Sequence, residues 1–301
     1  MINIFLASDN NYSPFVATTI ASICSTHTSP EKIIFYIIED KISETNKYKI
    51  KEMQKNFSFD IIFIQNDAEK FSNIFNKHGR KVNKMTFCRL LIPDIAPNIN
   101  KAIYLDIDIV VLRDISTLWN EDLGNYELGA IPEYYSTKMK YKKYLKKSFC
   151  YFNAGVLLMD TAKMRKDNCV NRFMKINKKF RENLWFLDQD ILNIYYHNNY
   201  KILDKKYNVV NTNVHWKNFL KIHNWNKLWH VRKSCVIRHY CCRHKPWNIR
   251  KLNIPHFGDF WRFASMTPFY EELQIKYKEK NAFRDIKNPI KRFYKKIRNL
   301  F

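Results

Sequence analysis

Ala102-Ile103-Tyr104-Leu105-Asp106-Ile107-Asp108-Ile109-Val110-Val111-Leu112 reads as a buried β-strand interrupted by two carboxylates. On an extended strand, residues i and i+2 point to one face, so Asp106 and Asp108 are expected side by side. A buried, isolated carboxylate is very costly, and two of them need compensation. A divalent cation supplies it, and hard oxygen ligands suit Mn²⁺ or Mg²⁺, which would usually bridge to substrate phosphates. The alternative is a strand end at which both carboxylates are solvated or paired with Lys or Arg.

Outward from this stretch, short apolar runs alternate with helical patterns. Residues 2–7, 33–38 and 61–65 read as strands. Residues 14–25 read as a helix with Phe15, Thr18, Thr19 and Ser22 on one face. Ser43 is placed to cap a helix running to about Lys55, because a hydroxyl before a helical pattern satisfies free N–H groups. A short helix at 86–91 is expected to end at Pro93. Downstream come an apolar run at 128–132, a strand at 156–159, and helices near 165–180 and 188–197. Continuous apolar strands joined by helices predict an α/β fold, with a central, mainly parallel sheet covered on both faces.

Bulk composition bounds the function. A chain of 301 residues with 46% apolar content supports one large α/β domain with an appendage, or two small domains. It has five glycines and neither G-x-G-x-x-G nor G-x-x-x-x-G-K-[ST], so a Gly-rich nucleotide fingerprint is excluded. Lys and Arg outnumber Asp and Glu by 52 to 28, and the formal charge of +24 calls for nucleic acid, an anionic membrane or a phosphorylated substrate. The seven cysteines fit neither a zinc template nor a secreted disulfide framework, and reduced cysteines of a cytoplasmic protein are expected. The N-terminus lacks a basic n-region and no stretch approaches the ~18 apolar residues of a membrane span.

Two basic segments stand out. Lys138–Lys147 carries six lysines and no acid; it is either a solvated helix face or a mobile flap over a phosphate-rich site. From Lys287 to Arg298 there are six basic residues and no acidic ones, and Ile290, Phe293, Tyr294, Ile297, Leu300 and Phe301 recur at helical spacing. This is the composition of a basic amphipathic helix lying on a membrane surface, or of a helix docked on the domain.

An Asp-x-Asp after an apolar strand also suits haloacid dehalogenase-like phosphatases, which want a later Gly-Asp-x-x-x-Asp. Here Gly258-Asp259 is followed by Phe260-Trp261-Arg262-Phe263, and the last Asp is missing. A nucleic-acid-binding protein would suit the charge, but no RNA-recognition, helix-turn-helix or zinc-finger pattern is present, and no nucleic-acid partner is expected.

Six segments in order carry a different likeness: Ala7-Ser8-Asp9-Asn10-x-Tyr12, Phe87-Cys88-Arg89-Leu90, Asp106-x-Asp108, Phe152-Asn153-Ala154-Gly155-Val156-Leu157-Leu158, Asp188-Gln189-Asp190, and His239 followed by Lys245-Pro246-Trp247. Over about residues 1–250 the chain resembles the family 8 retaining glycosyltransferases of the bacterial lipopolysaccharide or lipooligosaccharide type. The resemblance implies a GT-A type nucleotide-diphospho-sugar transferase fold. With the tail's composition, the expected division is a catalytic domain over 1–263 and a basic amphipathic C-terminal membrane-association segment over 264–301.

It also implies roles. Ala7, Asp9, Asn10 and Tyr12 would bind the nucleotide, Asp9 accepting from the uracil N3–H and Tyr12 stacking on the ring. Asp106, Asp108 and His239 would hold Mn²⁺, with Mg²⁺ as the alternative, and Lys245 would reach the diphosphate. Arg89, Asn153, Asp188 and Gln189 would surround the donor sugar. A glutamine amide is a poor nucleophile, so front-side attack with Gln189 beside the anomeric carbon is favoured, and Asp190 is the fallback nucleophile. Read without the resemblance, Asp188-Gln189-Asp190 is also an N-terminal helix cap. Two positions depart from the family pattern: Cys242 stands where a glycine usually follows the metal histidine by three, and Asn248 stands where a histidine often follows Lys-Pro-Trp.

The expected activity is transfer of glucose or galactose from UDP-glucose or UDP-galactose to a lipopolysaccharide or lipooligosaccharide core. The expected location is cytoplasmic, on the inner face of the cytoplasmic membrane, where each Lys or Arg near the anionic surface contributes ~1 kcal/mol.

Overall fold

The computed structural model describes residues 1–65, 83–133, 150–210, 233–241, 245–247 and 256–276. The basic tracts at 138–147 and 287–298 lie outside them, as do Cys242 and Asn248. Strands β1 (Ile2–Asp9), β2 (Ile33–Asp40) and β3 (Asp60–Gln65), with helices α1 (Ser13–Thr26) and α2 (Glu44–Glu52) between them, form a parallel unit. There follow α3 (Cys88–Ile95), β4 (Lys101–Leu105), β5 (Ile109–Val111), α4 (Ser116–Trp119), β6 (Leu128–Pro132) and β7 (Phe152–Asp160). The rest comprises α5 (Thr161–Lys166), α6 (Cys169–Phe180), α7 (Asp188–Tyr196), β8 (Lys201–Ile202), β9 (Val209–Val210), β10 (Ile237–His239) and α8 (Phe257–Ala264).

Among the described residues the main sheet has seven strands in the order β3-β2-β1-β4-β7-β6-β8. The first four run parallel, β7 is antiparallel to both β4 and β6, and β8 is parallel to β6. Both faces are covered, which is why the strands read as unbroken apolar runs. Phe5, Tyr36, Tyr104 and Leu157 pack with residues of α3, α6 and α7 on one face. Ile4, Leu6, Ile37, Ile103 and Leu158 pack with α1 on the other.

The stretch 102–112 is not one strand. β4 ends at Leu105, residues 106–108 leave the sheet, and β5 belongs to a second, three-stranded sheet of order β5-β10-β9. Asp106 and Asp108 do come close together, but on a segment between two sheets and not on one face of a single strand. Carboxylates cannot stay inside a doubly covered sheet, and the chain breaks where they occur. Two backbone bonds hold the break: Asp106 N–H donates to Gly155 O at 2.8 Å, and Tyr240 N–H donates to Asp108 O at 2.8 Å.

α1 buries Ser13 through Ile23, hydroxyls included. Those hydroxyls cover the free edge of β5, where backbone groups need partners. Thr19 Oγ1 donates to Ile109 O at 3.0 Å, and Val111 N–H donates to Ser22 Oγ at 2.9 Å. Ser43 caps α2 as expected, accepting from Asn46 N–H at 3.3 Å.

Two helix expectations change. Pro93 lies inside α3, costing one backbone bond, and the helix stops two residues later at Ile95. The helix expected near 165–180 is two helices, α5 and α6, separated at Asn168, whose φ of +51° asparagine tolerates better than most residues. Beyond α8, Phe269 and Leu273 are buried in the same apolar clusters as the strands and α1.

Glu127, just before β6, is half-buried beside Asp167 and Tyr196. Burial, then hydrogen bonding with Asp167, pushes its carboxyl up to about 7. The folded chain thus holds this proton more tightly than the unfolded chain, whose glutamate titrates near its ordinary value of ~4.3. Stability from this group is fully present below that value and is lost as pH rises toward 7. We expect Glu127→Gln to melt higher than the parent at pH 8 and equally at pH 4, with Tm against pH as the check.

Candidate active site

The carboxyl ends of β1 and β4 open into a cleft of about 380 Å³. Open α/β sheets bind ligands in the crevice beyond their strand ends. Ala7, Ser8, Asp9, Tyr12 and Asn83 line one part; Arg89, Tyr104, Asp106, Asp108, Lys245 and Trp247 line the other.

Each of the paired aspartates spends one oxygen on a cation and turns the other toward a buried imidazole. Asp106 Oδ1 accepts from Arg89 Nη2 at 2.8 Å and from the Tyr104 hydroxyl at 3.1 Å. Its Oδ2 lies 3.7 Å from His239 Nε2. Asp108 Oδ2 is bonded to the Lys245 ammonium, and its Oδ1 lies 3.0 Å from His239 Nε2. β10 brings the histidine here, because His239 pairs with Ile109 at the start of β5. One ligand atom from each of the three residues lies within 4.8 Å of the others.

This donor set fits a divalent cation of the Mn²⁺ or Mg²⁺ type. A backbone detail supports the fit, since Gly155 lies directly against two of the three side chains, His239 and Asp106. A Cβ there would stand 2.3 Å from His239 Cε1 and 2.7 Å from Asp106 Oδ2. A glycine inside an otherwise apolar strand is the sequence mark of such a close approach, and Gly155 is a site residue that the motif contained but the residue-by-residue reading did not assign.

Electrostatically the cluster sets Asp106, Asp108 and Asp188 against Arg89, Lys245 and, when protonated, His239. Burial alone would raise the Asp108 carboxyl, but His239 and Lys245 outweigh it and hold it well below the usual carboxylate range. Burial disfavours the charged forms of His239 and Lys245, yet Asp108 lifts both above their ordinary values.

Arg89 is 6% exposed. Its Nε pairs with Asp188 Oδ2 at 2.9 Å and donates to Thr86 O at 3.2 Å, while its guanidinium carbon sits 4.5 Å from the Tyr104 ring centroid. The arginine expected beside the sugar thus mainly ties Asp106 to Asp188. Thr86 holds the other Asp188 oxygen at 2.8 Å.

The expected nucleotide residues divide. Asp9 Oδ1 accepts from Asn11 N–H at 3.0 Å and Oδ2 from Asn83 Nδ2 at 3.4 Å, and its carboxylate faces the cleft. Tyr12 is 43% exposed, with its ring 5.3 Å from that of Phe15. Asn10 does not line the cleft. Its Oδ1 accepts from Ser43 N–H and Asn46 Nδ2, both at 2.9 Å, tying β1 to the start of α2.

The 188–190 segment also divides. Gln189 Oε1 accepts from Ala154 N–H at 3.0 Å and its Nε2 donates to the Tyr151 hydroxyl at 3.0 Å. Asp190 is 1% exposed. It accepts from the Tyr151 hydroxyl at 2.7 Å and from the amides of Trp185 and Phe186 at 2.6 and 2.7 Å. That is the work of a loop anchor, which caps the turn before α7; it is not the setting of a free nucleophile. Asn208, which no local sequence signal marks, is buried behind the site with its side chain between Asn153 and His239.

The profile of glycosyl transferase family 8 matches residues 3–250. A Haemophilus influenzae protein that carries the name glycosyltransferase is 32% identical over 251 residues, 82% of this chain and 73% of its own length. General stress protein A of Bacillus subtilis is 25% identical over 276 residues, 89% of this chain and 94% of its own. Among solved structures, galactosyltransferase LgtC in complex with donor and acceptor sugar analogs aligns with a TM-score of 0.77 at 26% identity, covering 91% of this chain and 100% of that one.

Proposed function

Because this chain belongs to glycosyltransferase family 8 and has the GT-A fold of its bacterial lipopolysaccharide-type members, we propose that it moves glucose or galactose from a UDP-sugar to a lipopolysaccharide or lipooligosaccharide core saccharide, with retention of configuration. The observation that carries this reading is the convergence of Asp106, Asp108 and His239 on one point of a cleft whose other end offers Asp9 and Tyr12.

Asp106 Oδ2, Asp108 Oδ1 and His239 Nε2 would hold the cation, Mn²⁺ or Mg²⁺. When bound, that ion offsets the negative charge gathering on the nucleotide diphosphate as the glycosidic bond breaks. Lys245 already neutralises Asp108 and is placed to exchange that partner for phosphate oxygens. Tyr12 offers an open ring face to a base, and the Asp9 carboxylate keeps lone pairs for a ring N–H. Asn153 and Gln189 are held by bonds to the backbone of Gly155 and Ala154, so their amides are preset for the sugar at no ordering cost during reaction. With Asp190 spent on the loop, retention by front-side attack is the reading that the side chains support.

The same loop suits an acceptor sugar. Trp185 and Phe186 are 39% and 50% exposed immediately before α7, on a backbone pinned by Asp190. Exposed aromatic faces on a pinned loop pack well against sugar rings. The basic composition of 287–298 supports a place at the anionic inner surface of the cytoplasmic membrane, where such an acceptor is built. Among the described residues no helix is long and apolar enough to cross a membrane.

Calorimetry with a panel of sugar nucleotides and Mn²⁺ tests the donor, and saturable binding of UDP-glucose or UDP-galactose is expected. No heat with any UDP-sugar would end this reading. Trp185→Ala is expected to raise the acceptor KM about 3–10-fold while leaving donor hydrolysis unchanged.

A further inference from the structure

Behind the cation site, three buried side chains form a hydrogen-bond chain whose every direction is fixed. It begins at the backbone of β7. Gly155 N–H donates to Asn153 Oδ1 at 2.9 Å. A backbone N–H can only donate, so the atom it meets is the amide oxygen of Asn153. That same oxygen receives Asn208 Nδ2 at 2.8 Å. Asn208 is thereby oriented with its nitrogen toward Asn153 and its own oxygen toward His239 Nδ1, 3.0 Å away. A carbonyl oxygen can only accept, so Nδ1 carries the hydrogen. The ligand atom for a cation is then Nε2, which faces Asp108 Oδ1 and Asp106 Oδ2 and would give up to the cation the hydrogen it shares with Asp108.

We propose that Asn208 is a positioning residue that sets the His239 tautomer and ring angle for cation binding and couples this site to Asn153. Its place in the fold supports the assignment. Asn208 immediately precedes β9, which pairs in parallel with β10 at Val210↔His239, so backbone pairing fixes its distance from the imidazole. Asn208 is 6% exposed, and the bonds its side chain makes among the described residues are those to Asn153 and His239. Metal-binding histidines generally have their second nitrogen engaged by such a partner, and losing it typically weakens metal binding about 10–100-fold. The inference rests on the cation reading above for its purpose, and on the geometry alone for the tautomer.

Two variants of the full chain test it by opposite outcomes. ¹⁵N spectra of the full chain, recorded without metal and with diamagnetic Mg²⁺ and assigned with His239→Gln, report which ring nitrogens bear hydrogen. The wild type is expected to show Nδ1–H. Asn208→Asp keeps an acceptor at Nδ1 but loses the donor to Asn153 Oδ1, so it is expected to keep Nδ1–H while releasing Asn153. Asn208→Leu removes the acceptor and is expected to show mixed tautomers and to bind Mn²⁺ about 10–100-fold more weakly by calorimetry. Wild-type tautomer and affinity in Asn208→Leu would overturn the proposal, as would loss of the Nδ1–H tautomer in the isosteric Asn208→Asp. If the wild type shows Nδ1–H but binds no Mn²⁺, the cation reading fails and the tautomer assignment stands.

Discussion

Asp108→Asn is expected to lower sugar transfer by about 10³-fold or more while the chain stays folded. Asp108 is the member of the cluster that touches both the imidazole and the ammonium. The amide keeps its shape and removes its charge, so a cation would lose one of its two carboxylates. Removing one partner of a buried pair commonly costs 3–5 kcal/mol, because a charge is left unpaired. Here the cost should fall well short of that. Lys245 lines the open cleft and its ammonium can turn into water, and His239 can release its proton. Three measurements check this: product formation with UDP-sugar and acceptor, Mn²⁺ affinity by calorimetry, and Tm. Near-wild-type turnover in a folded Asp108→Asn protein would remove the cation from the reaction.

Gly155→Ala tests the wall of the site, and its expected effect is nearly as large. The added Cβ would fall 2.3 Å from His239 Cε1 and 2.7 Å from Asp106 Oδ2, closer than real Cβ contacts allow. Neither neighbour can yield freely. The imidazole is held by Asn208 on one side and Asp108 on the other. Asp106 is held by Arg89 and Tyr104. Either β7 or the imidazole must shift, and a displacement of ~1 Å at a reacting constellation costs about 10²-fold in rate. Overpacking should also destabilise the fold by roughly 1–3 kcal/mol. Gly258→Ala is the matched control. Among the described residues no atom beyond its own helix and chain neighbours lies within 4 Å of its added Cβ, and alanine near the start of α8 should be neutral or stabilising by up to ~1 kcal/mol. Both are read from turnover and Tm measured side by side. Equal behaviour of the two variants would show that the wall at Gly155 does not shape the site.

The strand and helix pattern was legible because both sheet faces are buried. Continuous apolar runs at β1, β2 and β4 have few other interpretations, and the Ser43 cap follows from one hydroxyl and four backbone N–H groups. The break at Asp106 was legible only as a conflict, two charges in a buried run, and its outcome was not. A strand that turns into a second sheet depends on β10, which joins the chain about 130 residues later. The Asp188-Gln189-Asp190 segment could be read as helix cap or sugar pocket, and the structure gives each residue separate work. Asp188 braces Arg89, Gln189 fixes the Ala154 backbone, and Asp190 anchors the loop that carries Trp185 and Phe186.

Local chemistry in the sequence determined the kind of protein: apolar periodicity required an α/β sheet, and two carboxylates inside it required a compensating charge. Which oxygen of each aspartate faces the imidazole, why residue 155 must lack a side chain, and why a distant asparagine governs His239 were decided by the tertiary structure alone. Hydrogen bonds and close contacts act over about 3 Å, and only folding brings β4, β7, β9 and β10 that near.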